Sequence, residues 1–519
     1  MVHRLYSRNP SCLVRVRPPP VKPRPARIRR PSNADRPNDI HDSAGAFLRY
    51  RRRSEETRMA ALSLRGADID AYLASVLFLD DEREDGDTCR VTELAGELRA
   101  LSLPPGSIIM IALPNGLRLL RCFFAVLEAG HVPLLAPPSM PSARVRNVAA
   151  KLGISAVIRP RITPGDFGER EHVRFAGLDL LTFSTHARRC HSPGQVALLT
   201  SGTSGFTSGC LHDFDALLRN AERHADSIGL RSEDRILVSL PIYYSFALVA
   251  QVLAAVRIGA ELVVTGPPFT PARYNESISG YGITASSLTP LLVDTLLGSD
   301  GGLPKGLRVL TVGGQALAPE RTTALLRRNP LLELYLTYGL TEAGPRVTTL
   351  AAHREPPHRL TSAGRPLNGV QLMVRDVGRG EREQELLVRS DTVYRERLGA
   401  ASAPGRGGLV APGTVATGDL GHLDDGYLFL RGRLSDFAII RDEKVSLASV
   451  RQITESLAGV IRAVPSVQDG RSLDLDIYVH HEFPQSERAI RRRLAPLLTP
   501  SERPDRIRIH PVHSGAIHK

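Results

Sequence analysis

The most distinctive stretch of the chain is Leu198-Leu-Thr-Ser-Gly-Thr-Ser-Gly-Phe-Thr-Ser-Gly209, in which an apolar run leads into six consecutive Ser, Thr and Gly residues. Glycines permit positive φ and close backbone approach, while hydroxyls and successive N–H groups form a concavity that suits phosphate oxygens. The Walker pattern GxxxxGK[ST] is absent from this stretch. Taken alone, the stretch therefore indicates either a phosphate-binding loop or an ordinary flexible turn.

Outward from this stretch, apolar runs of strand length alternate with segments of helix length. Apolar residues with a period of 3.6 predict helices over 117–127 and 143–152. The predicted strands are 107–113, 155–159, 196–199, 235–240, 261–264, 307–312 and 333–338. Alternation of this kind indicates parallel βαβ units.

The pattern changes in the last third of the chain. After about residue 366 short strands and turns predominate, and a small α+β segment runs from residue 436 to the end. The sequence therefore predicts an α/β fold. It has a large multi-layer domain with parallel-type sheets over 59–435 and a small α+β lid domain over 436–519.

The longest apolar run, 240–256, contains Pro241 and Gln251 and is followed directly by Arg257. A membrane span needs about 20 apolar residues, so this run predicts a buried helix and no transmembrane segment is expected.

The charge of the chain is concentrated at its start. The 519 residues carry 67 Lys and Arg against 54 Asp and Glu, a net charge of +13. Residues 1–58 hold 15 basic and five acidic residues, eight prolines and the triplet Arg51-Arg-Arg53, leaving only +3 for the remainder. No apolar signal core follows the basic residues. This segment is therefore expected either to be a disordered arm or to precede a translation start at Met59.

The basic residues consist of 62 arginines and only five lysines. A GC-rich bacterial genome explains this imbalance as well as a binding role does, so a nucleic-acid partner is not expected. The five cysteines are scattered and form no CxxC pair. They predict neither a disulfide scaffold nor a zinc site, and they suit a reducing cytoplasm.

Five further motifs follow the Ser/Gly-rich stretch along the chain. They are Leu240-Pro-Ile-Tyr-Tyr-Ser-Phe246, Val312-Gly-Gly-Gln-Ala-Leu317, Tyr338-Gly-Leu-Thr-Glu342, Thr417-Gly-Asp-Leu420 and Gly432-Arg-Leu-Ser-Asp436. In this order, together with the stretch at 200–209, they resemble the signatures of the adenylate-forming (AMP-binding) superfamily. This superfamily includes acyl-CoA synthetases, aryl-CoA ligases and stand-alone adenylation domains. The resemblance covers roughly residues 75–519.

The resemblance implies a role for each motif residue at an ATP or AMP site. Tyr338 would stack on adenine, Thr341 would hydrogen-bond the α-phosphate, and Glu342 would hold Mg²⁺. Asp419 would accept the ribose hydroxyls, and Arg433 would contact the same ribose. The nucleotide-binding set implied in this way is Thr200, Ser201, Gly202, Thr203, Ser204, Gly205, Gly313, Gly314, Gln315, Tyr338, Gly339, Thr341, Asp419 and Arg433.

Each of these residues also has an ordinary structural explanation when it is considered alone. A Thr-Glu pair such as Thr341-Glu342 can be a helix N-cap with an acid in the first turn, Tyr338 can be a core residue, and Asp419 can lie in a solvent-facing turn. The functional interpretation depends on the order of the motifs along the chain.

The resemblance further implies an acyl pocket, a hinge and a set of substrates. Tyr243, Tyr244, Phe246 and Leu340 would line the acyl pocket, and Asp436 would be the hinge. ATP and Mg²⁺ would be required, with CoA or carrier-protein phosphopantetheine as the co-substrate. The partners would be a small carboxylic acid, with a medium or long apolar chain expected, and in some cases an acyl carrier protein.

Three positions depart from the superfamily pattern. Ser208 stands where the phosphate loop normally has a lysine, and Ala516 aligns with the C-terminal lysine that bridges the carboxylate and the α-phosphate. Asp442 aligns with a glycine beside the pantetheine tunnel. Lys519 lies three residues beyond Ala516 and is either a substitute catalytic cation or a surface lysine.

Two hypotheses follow. In the first, the chain is an acid–thiol ligase that forms an acyl-adenylate and then a thioester on CoA or pantetheine. In the second, it is a catalytically impaired homologue that binds nucleotide or acyl groups, because loss of preorganised charge contacts costs roughly 10²–10³ in rate for each contact.

Overall fold

Strands and helices alternate along much of the computed structural model. All described residues belong to the unit Ser63–Lys519. The structure describes residues 66–80, 89–101, 103–163, 167, 172–183, 190–200, 208–298, 302–378, 381, 383–399, 408–434, 437–440, 443–468, 472–480, 486–498 and 500–512.

The α-helices and strands are numbered here in chain order within the described residues. The helices are α1 (Gly66–Ser75), α2 (Val91–Ala100), α3 (Leu117–Glu128), α4 (Ser142–Leu152), α5 (Phe214–Ser227), α6 (Ser245–Ala247), α7 (Ala254–Ile258), α8 (Pro271–Gly280), α9 (Pro290–Leu297), α10 (Pro319–Arg328), α11 (Leu447–Glu455) and α12 (Glu487–Leu494). The strands are β1 (Leu77–Phe78), β2 (Ile108–Ile111), β3 (Val132–Leu135), β4 (Ile154–Arg159), β5 (His172–Phe175), β6 (Leu178–Thr182), β7 (Gln195–Thr200), β8 (Ser208–Asp213), β9 (Arg235–Val238), β10 (Glu261–Val264), β11 (Ala285–Leu288), β12 (Val309–Gly313), β13 (Glu333–Gly339), β14 (Arg346–Ala351), β15 (Arg365–Pro366), β16 (Gln371–Arg375), β17 (Gln384–Arg389), β18 (Glu396–Gly399), β19 (Leu409–Ala411), β20 (Thr414–Asp424), β21 (Tyr427–Arg433), β22 (Phe437–Ile440), β23 (Glu443–Ser446), β24 (Val460–Gln468), β25 (Ser472–His480) and β26 (Arg506–Val512).

Two eight-stranded sheets form most of the N-terminal part. The first has the order β18-β8-β7-β3-β2-β4-β6-β5 and is parallel across β4, β2, β3 and β7, with antiparallel strands outside them. The second has the order β1-β10-β9-β11-β12-β13-β14-β15 and is parallel from β1 to β13. Strand β2, Ile-Ile-Met-Ile, is buried at all four positions. This explains its continuous apolar sequence, because a strand covered on both faces has no solvent-facing positions.

Smaller antiparallel elements follow. Strands β16, β17, β20, β19 and β21 form a third sheet, and β22 pairs with β23. Strands β24, β25 and β26 form a last sheet, which packs with α11 and α12 around its own apolar core. The predicted α/β class, with a large N-terminal part and a smaller C-terminal part, is confirmed. The domain boundaries at 59 and 436 stay predictions.

Helix packing explains the two large cores. Helix α4 buries Val145, Val148, Ala149 and Leu152 against the first sheet, at the i, i+3, i+4 and i+7 spacing of one helix face. On the second sheet, residues of α8, α9 and α10 pack against strands β9 to β14 in the same way. These cores fix the strand ends from which the candidate site residues project.

One predicted helix differs from the structure. The apolar run 240–256 does form a buried helical segment, but it starts only at Ser245, after turns around Ile242, and it runs to Ile258. Its middle turn, Leu248–Leu253, is a π-helix, an irregularity that is often found at functional sites. Among the described residues, no helix is long and apolar enough to cross a bilayer. None of the described cysteines forms a disulfide.

We predict that Gly339→Ala destabilises the fold. A Cβ atom at Gly339 would collide with the carbonyl of Pro345 across the β13–β14 turn, and backbone cannot move aside as a flexible side chain can. Overpacking of this kind costs about 1–3 kcal/mol. Gly96 is the control, because it lies in α2 with open space around it; Gly96→Ala should stabilise by about 0.5–1 kcal/mol. Equal free energies of unfolding for the Gly339 variant and the native chain in urea would contradict the prediction.

We also predict that buried His212 makes the fold sensitive to acid. Burial on β8 lowers the pKa of His212 from 6.5 to about 4, so its ring is neutral in the folded protein at pH 6. The unfolded chain takes up this proton first as the pH falls, so stability decreases between pH 6.5 and about 4. The loss reaches about 3 kcal/mol at the low end of this range.

The variant His212→Phe cannot take up this proton. Its free energy of unfolding should therefore fall less steeply than that of the native chain between pH 7 and pH 4. The exposed residue His358 provides the control, since His358→Gln should leave the native pH dependence unchanged. Parallel stability curves for His212→Phe and the native chain would show that His212 does not act in this way.

Candidate functional site

The centre of the candidate site is the turn between β13 and β14. Strand β13 ends at Gly339, a short 3₁₀ turn covers Thr341–Ala343, and β14 returns antiparallel from Arg346. The pairing register shifts between Tyr338 and Gly339, which is a bulge of the kind that re-aims side chains beside functional sites. Tyr338, Thr341 and Glu342 are thus positioned by the end of one central strand.

Tyr338 and Arg433 both contact Asp419. The Tyr338 hydroxyl donates to Asp419 Oδ2 at 2.6 Å, and Arg433 Nε donates to Asp419 Oδ1 at 2.9 Å. Asp419 and Arg433 lie directly opposite each other on β20 and β21. Asp419 is only 6% exposed, so these two donors compensate a buried negative charge.

The local backbone explains how Asp419 is held. Its own N–H donates to Thr417 Oγ1 at 2.9 Å, which orders the Thr-Gly-Asp segment. Burial, and then the neighbouring Asp419 carboxylate, raise the pKa of Tyr338 well above its usual value of 10. The hydroxyl therefore remains protonated and available as a donor at neutral pH.

The next two motif residues have polar partners of their own. Thr341 Oγ1 lies 3.0 Å from Ser245 Oγ, at the start of α6. Arg397 Nη2 donates to Glu342 Oε1 at 3.2 Å, and both side chains are largely buried. Glu342 is thus an oxygen ligand that already has a cation beside it.

The Ser/Gly-rich stretch joins β7 to β8, an antiparallel pair. Thr200 Oγ1 and Ser208 Oγ are 2.7 Å apart where these strands end. Strand β18 pairs with β8 so that Arg397 lies opposite Cys210 and Gly399 opposite Ser208. Residues opposite one another share a sheet face, so Arg397 and Ser208 lie on the same face as diagonal neighbours, roughly 7–8 Å apart.

The glycine turn follows β12 at the edge of the same region. Gly313 is buried opposite Thr337 of β13, while Gly314 and Gln315 are exposed. Gly314 has a φ of +89°, which favours glycine. A Cβ at Gly313 would meet Thr337 Oγ1 and the Arg346 guanidinium, so the missing side chain leaves room for both.

The predicted acyl-pocket residues fall into different environments. The rings of Tyr243 and Tyr244 lie 4.6 Å apart, and Tyr244 is 40% exposed. The guanidinium of Arg346 stacks over the Phe246 ring at 4.5 Å. Leu340 packs beside Tyr338 against the core cluster below the third sheet. A role for these four residues in holding an acyl group stays a prediction.

The residues present fit a magnesium ion that is held mainly by a substrate. Among the described residues, no cluster of three or more His, Cys, Asp or Glu side chains forms a cage for a metal. Mg²⁺ commonly uses one or two carboxylates together with phosphate oxygens and water. Glu342, beside the Thr341 hydroxyl, is a donor set of this kind.

Several predicted residues lie outside the described residues. They are Ser201, Gly202, Thr203, Ser204, Gly205, Asp436, Asp442, Ala516 and Lys519.

Sequence reasoning missed three neighbours of the site: Ser245, Arg346 and Arg397. Ser245 stands within a quoted motif and Arg346 four residues after Glu342, so their polarity beside apolar residues was a usable signal. Arg397 had no such signal, because its contact with Glu342 depends on the β8–β18 pairing register.

Comparison with known proteins identifies the family. A family model described as "AMP-binding enzyme" matches residues 88–396. The chain is 27% identical over 401 residues to a salicyl-AMP ligase / salicyl-S-ArCP synthetase of Mycobacterium tuberculosis, covering 70% of this chain and 69% of that protein. It is 29% identical over 305 residues to a 2-succinylbenzoate–CoA ligase of Bacillus pumilus, covering 56% and 60%.

Solved structures share the fold. The o-succinylbenzoate CoA synthetase of Bacillus subtilis, in complex with its acyl-adenylate intermediate, has a TM-score of 0.65 and 22% identity over 81% of this chain and 88% of that one. ATP-bound MatB from Rhodopseudomonas palustris has a TM-score of 0.64 and 18% identity over the same shares. Because the family model spans more than half of the sequence, the chain belongs to the AMP-binding enzyme family.

Proposed function

We propose that this protein activates a carboxylic acid with ATP, forming an acyl-adenylate and pyrophosphate. The observation that carries the proposal is the Asp419 group, in which one carboxylate is held by Tyr338 from β13 and by Arg433 from β21. A carboxylate has about four acceptor sites, so Asp419 retains capacity for two ribose hydroxyls beside these donors. Membership in the AMP-binding family supports the same assignment.

In the proposed reaction, a carboxylate oxygen of the acid attacks the α-phosphorus of ATP. A new O–P bond forms while the bond from the α-phosphorus to the bridging oxygen breaks, and pyrophosphate leaves with that electron pair. No proton has to move in this step. Catalysis therefore depends on positioning and on stabilising charge at the phosphates.

Residues of this chain supply the positioning. The Tyr338 ring would face the adenine, Asp419 and Arg433 would hold the ribose, and Thr341, itself oriented by Ser245, would donate to the α-phosphate. When bound at Glu342, Mg²⁺ would neutralise phosphate charge. Residues 436–519 would act as a lid that turns at Asp436.

We infer that Arg397 takes over part of the role of the missing loop lysine. It lies on the same sheet face as Ser208, the position where that lysine would stand, and it contacts Glu342. An arginine binds phosphate oxygens bidentately and stays charged at any physiological pH. Lys519 stays a second candidate for the cation that Ala516 does not provide.

The acid is proposed to have an apolar body. Phe246, Tyr243, Tyr244 and Leu340 offer aromatic and aliphatic surface near the turn, which suits an aryl or acyl group. The relatives' names refer to salicylate, 2-succinylbenzoate and 4-coumarate, which favours an aromatic acid over a long fatty acid. The acceptor would be CoA or carrier-protein pantetheine, and a cytoplasmic location would supply both.

The second candidate function is nucleotide or acyl binding without turnover. The Arg397–Glu342 pair favours it, because an arginine that neutralises the metal-binding carboxylate would weaken Mg²⁺ binding. Ser208 at the loop-lysine position, tied to Thr200, points in the same direction.

We predict that Asp419→Asn weakens ATP binding roughly 10- to 100-fold, since hydrogen bonds to a charged group contribute about 1.5–3 kcal/mol. The control is Asp424→Asn, an exposed carboxylate at the far end of β20, which should leave the affinity unchanged. Tyr338→Phe keeps the aromatic ring, and its Kd for ATP should stay within about threefold of the native value. Tyr338→Ala removes the ring and should weaken ATP binding by much more than threefold. Isothermal titration calorimetry checks this; equal affinities for native chain and Asp419→Asn would refute the ribose assignment.

We predict that the native chain releases pyrophosphate from ATP with at least one aryl or acyl acid, in a Mg²⁺-dependent manner. Glu342→Ala and Arg397→Gln should each lower kcat by about 10²–10³ while the fold is retained. Ala516→Lys should raise kcat. If Lys519 is the substitute cation, Lys519→Ala should lower kcat.

Two outcomes would favour the second candidate function instead. One is pyrophosphate release that occurs only after Ala516→Lys or Ser208→Lys. The other is turnover that rises in Arg397→Gln, because that result would mean that Arg397 blocks Glu342 rather than assisting it. Circular dichroism spectra of all variants control for misfolding.

A further inference from the structure

Arg346, the first residue of β14, has an unusually well-fixed backbone and an unusually buried side chain. The Asn220 side chain on α5 accepts from the Arg346 N–H at 2.8 Å and donates to its carbonyl at 2.9 Å. The residue is only 3% exposed. Its position is therefore set by a neighbouring helix as well as by the sheet.

The guanidinium of Arg346 has no anionic partner in the part of the chain that the structure describes. Its Nε and Nη2 atoms are buried and have no hydrogen-bond acceptor there, and no carboxylate lies within ion-pair distance. Burial alone lowers the pKa of Arg346 to about 10, so the group is still charged at neutral pH.

The surroundings do not compensate this charge. The Phe246 ring under the guanidinium, at 4.5 Å, contributes a cation–π contact of about 2 kcal/mol or somewhat more, which offsets only part of the cost of burying the charge. His224 is fully buried, and burial together with the charge on Arg346 lowers its pKa well below 6.5, so it stays neutral. An unpaired buried ion has an effective penalty of several kcal/mol, so a group other than the described residues is expected to complete the site, and we take it to be a ligand.

The location indicates where that group comes from. Arg346 stacks on Phe246, within the segment proposed to line the acyl pocket, and its Nη2 lies 3.3 Å from the position that a Cβ at Gly313 would take. It also lies three residues after the Thr341–Ala343 turn that carries Glu342. A ligand that reaches the guanidinium therefore lies between the proposed acid and nucleotide positions.

We propose that Arg346 binds a second acidic or hydrogen-bond-accepting group on the acid substrate, in addition to the carboxylate that is activated. The substrate class is thus an acid with an apolar body and a further carboxylate or hydroxyl group. This inference rests on the proposed function for the site, and it names the substrate class that the site selects. Planar Arg–carboxylate pairing supplies both affinity and orientation.

A nucleotide phosphate is the competing ligand for the guanidinium. The acid is favoured because Arg346 contacts Phe246, whereas the residues assigned to ribose and α-phosphate already have their own partners on β20, β21 and α6.

The experiment compares benzoic acid with its 2-hydroxy and 2-carboxy derivatives, and heptanoic acid with heptanedioic acid. Binding to the AMP-saturated protein is measured by calorimetry, and kcat/KM is measured by pyrophosphate release. The native chain should prefer the acid with the second group in at least one pair by roughly 10- to 100-fold. Arg346→Met should bind the two acids of each pair about equally. Arg346→Lys should recover part of the native preference.

Arg365→Met is the matched control, because Arg365 is an exposed arginine that stacks on the Tyr427 ring at 4.5 Å; it should keep the native preference. If Arg346→Met unfolds, Arg346→Lys and Arg346→Gln carry the comparison. A preference in binding without turnover would support this inference while refuting the proposed catalysis. Turnover with no preference in any pair, or a preference that persists in Arg346→Met, would overturn it. Weakened ATP binding with unchanged acid preference would assign Arg346 to the nucleotide instead.

Discussion

A carboxylate that is taken out of water needs a charged or hydrogen-bonding partner, and this requirement organises much of the structure. Asp419 has Arg433 and Tyr338, Glu385 has Arg375 Nε at 3.0 Å, and Asp234 has Arg308. The Asp419–Arg433 and Glu385–Arg375 pairs join neighbouring strands, so each compensates a charge and holds a strand register at once, whereas Asp234 and Arg308 precede β9 and β12, on either side of β11. With 62 arginines against five lysines, the planar guanidinium is the cation that this chain uses.

The pairing at Asp419 also connects two sheets. Tyr338 ends a strand of the second sheet, while Asp419 and Arg433 face each other in the third sheet. The same two regions share an apolar core in which Leu386, Val388 and Leu428 are fully buried. The geometry of the proposed ribose contact therefore depends on sheet packing, and core substitutions far from any ligand would change it.

The sequence allowed the regular elements and several of the contacts to be predicted. Apolar runs placed β10 and β13 to within a residue, because strands buried on both faces carry a continuous signal. The motifs assigned Tyr338, Asp419 and Arg433 to one nucleotide site, and the structure places these three side chains in contact through Asp419, while their roles toward a nucleotide stay predictions. Arg397 was not found, since 187 residues separate it from its pairing partner Cys210 and no local pattern encodes that register. The π-turn after Ser245 was also missed, because its residues are as apolar as those of a regular helix.

The loss of lysines and the placement of arginines have a common physical consequence. In the superfamily pattern that the sequence resembles, one lysine stands at the position of Ser208 and the other at the position of Ala516. Arg397 and Arg346 stand on strands β18 and β14, where pairing and packing hold the backbone. A cation fixed in this way loses little entropy when a ligand binds, but it cannot withdraw when the substrate changes. Such a site trades conformational range for preorganised charge. If Arg346 binds the acid as proposed, the site should therefore discriminate between acids by the group that each one places beside this arginine.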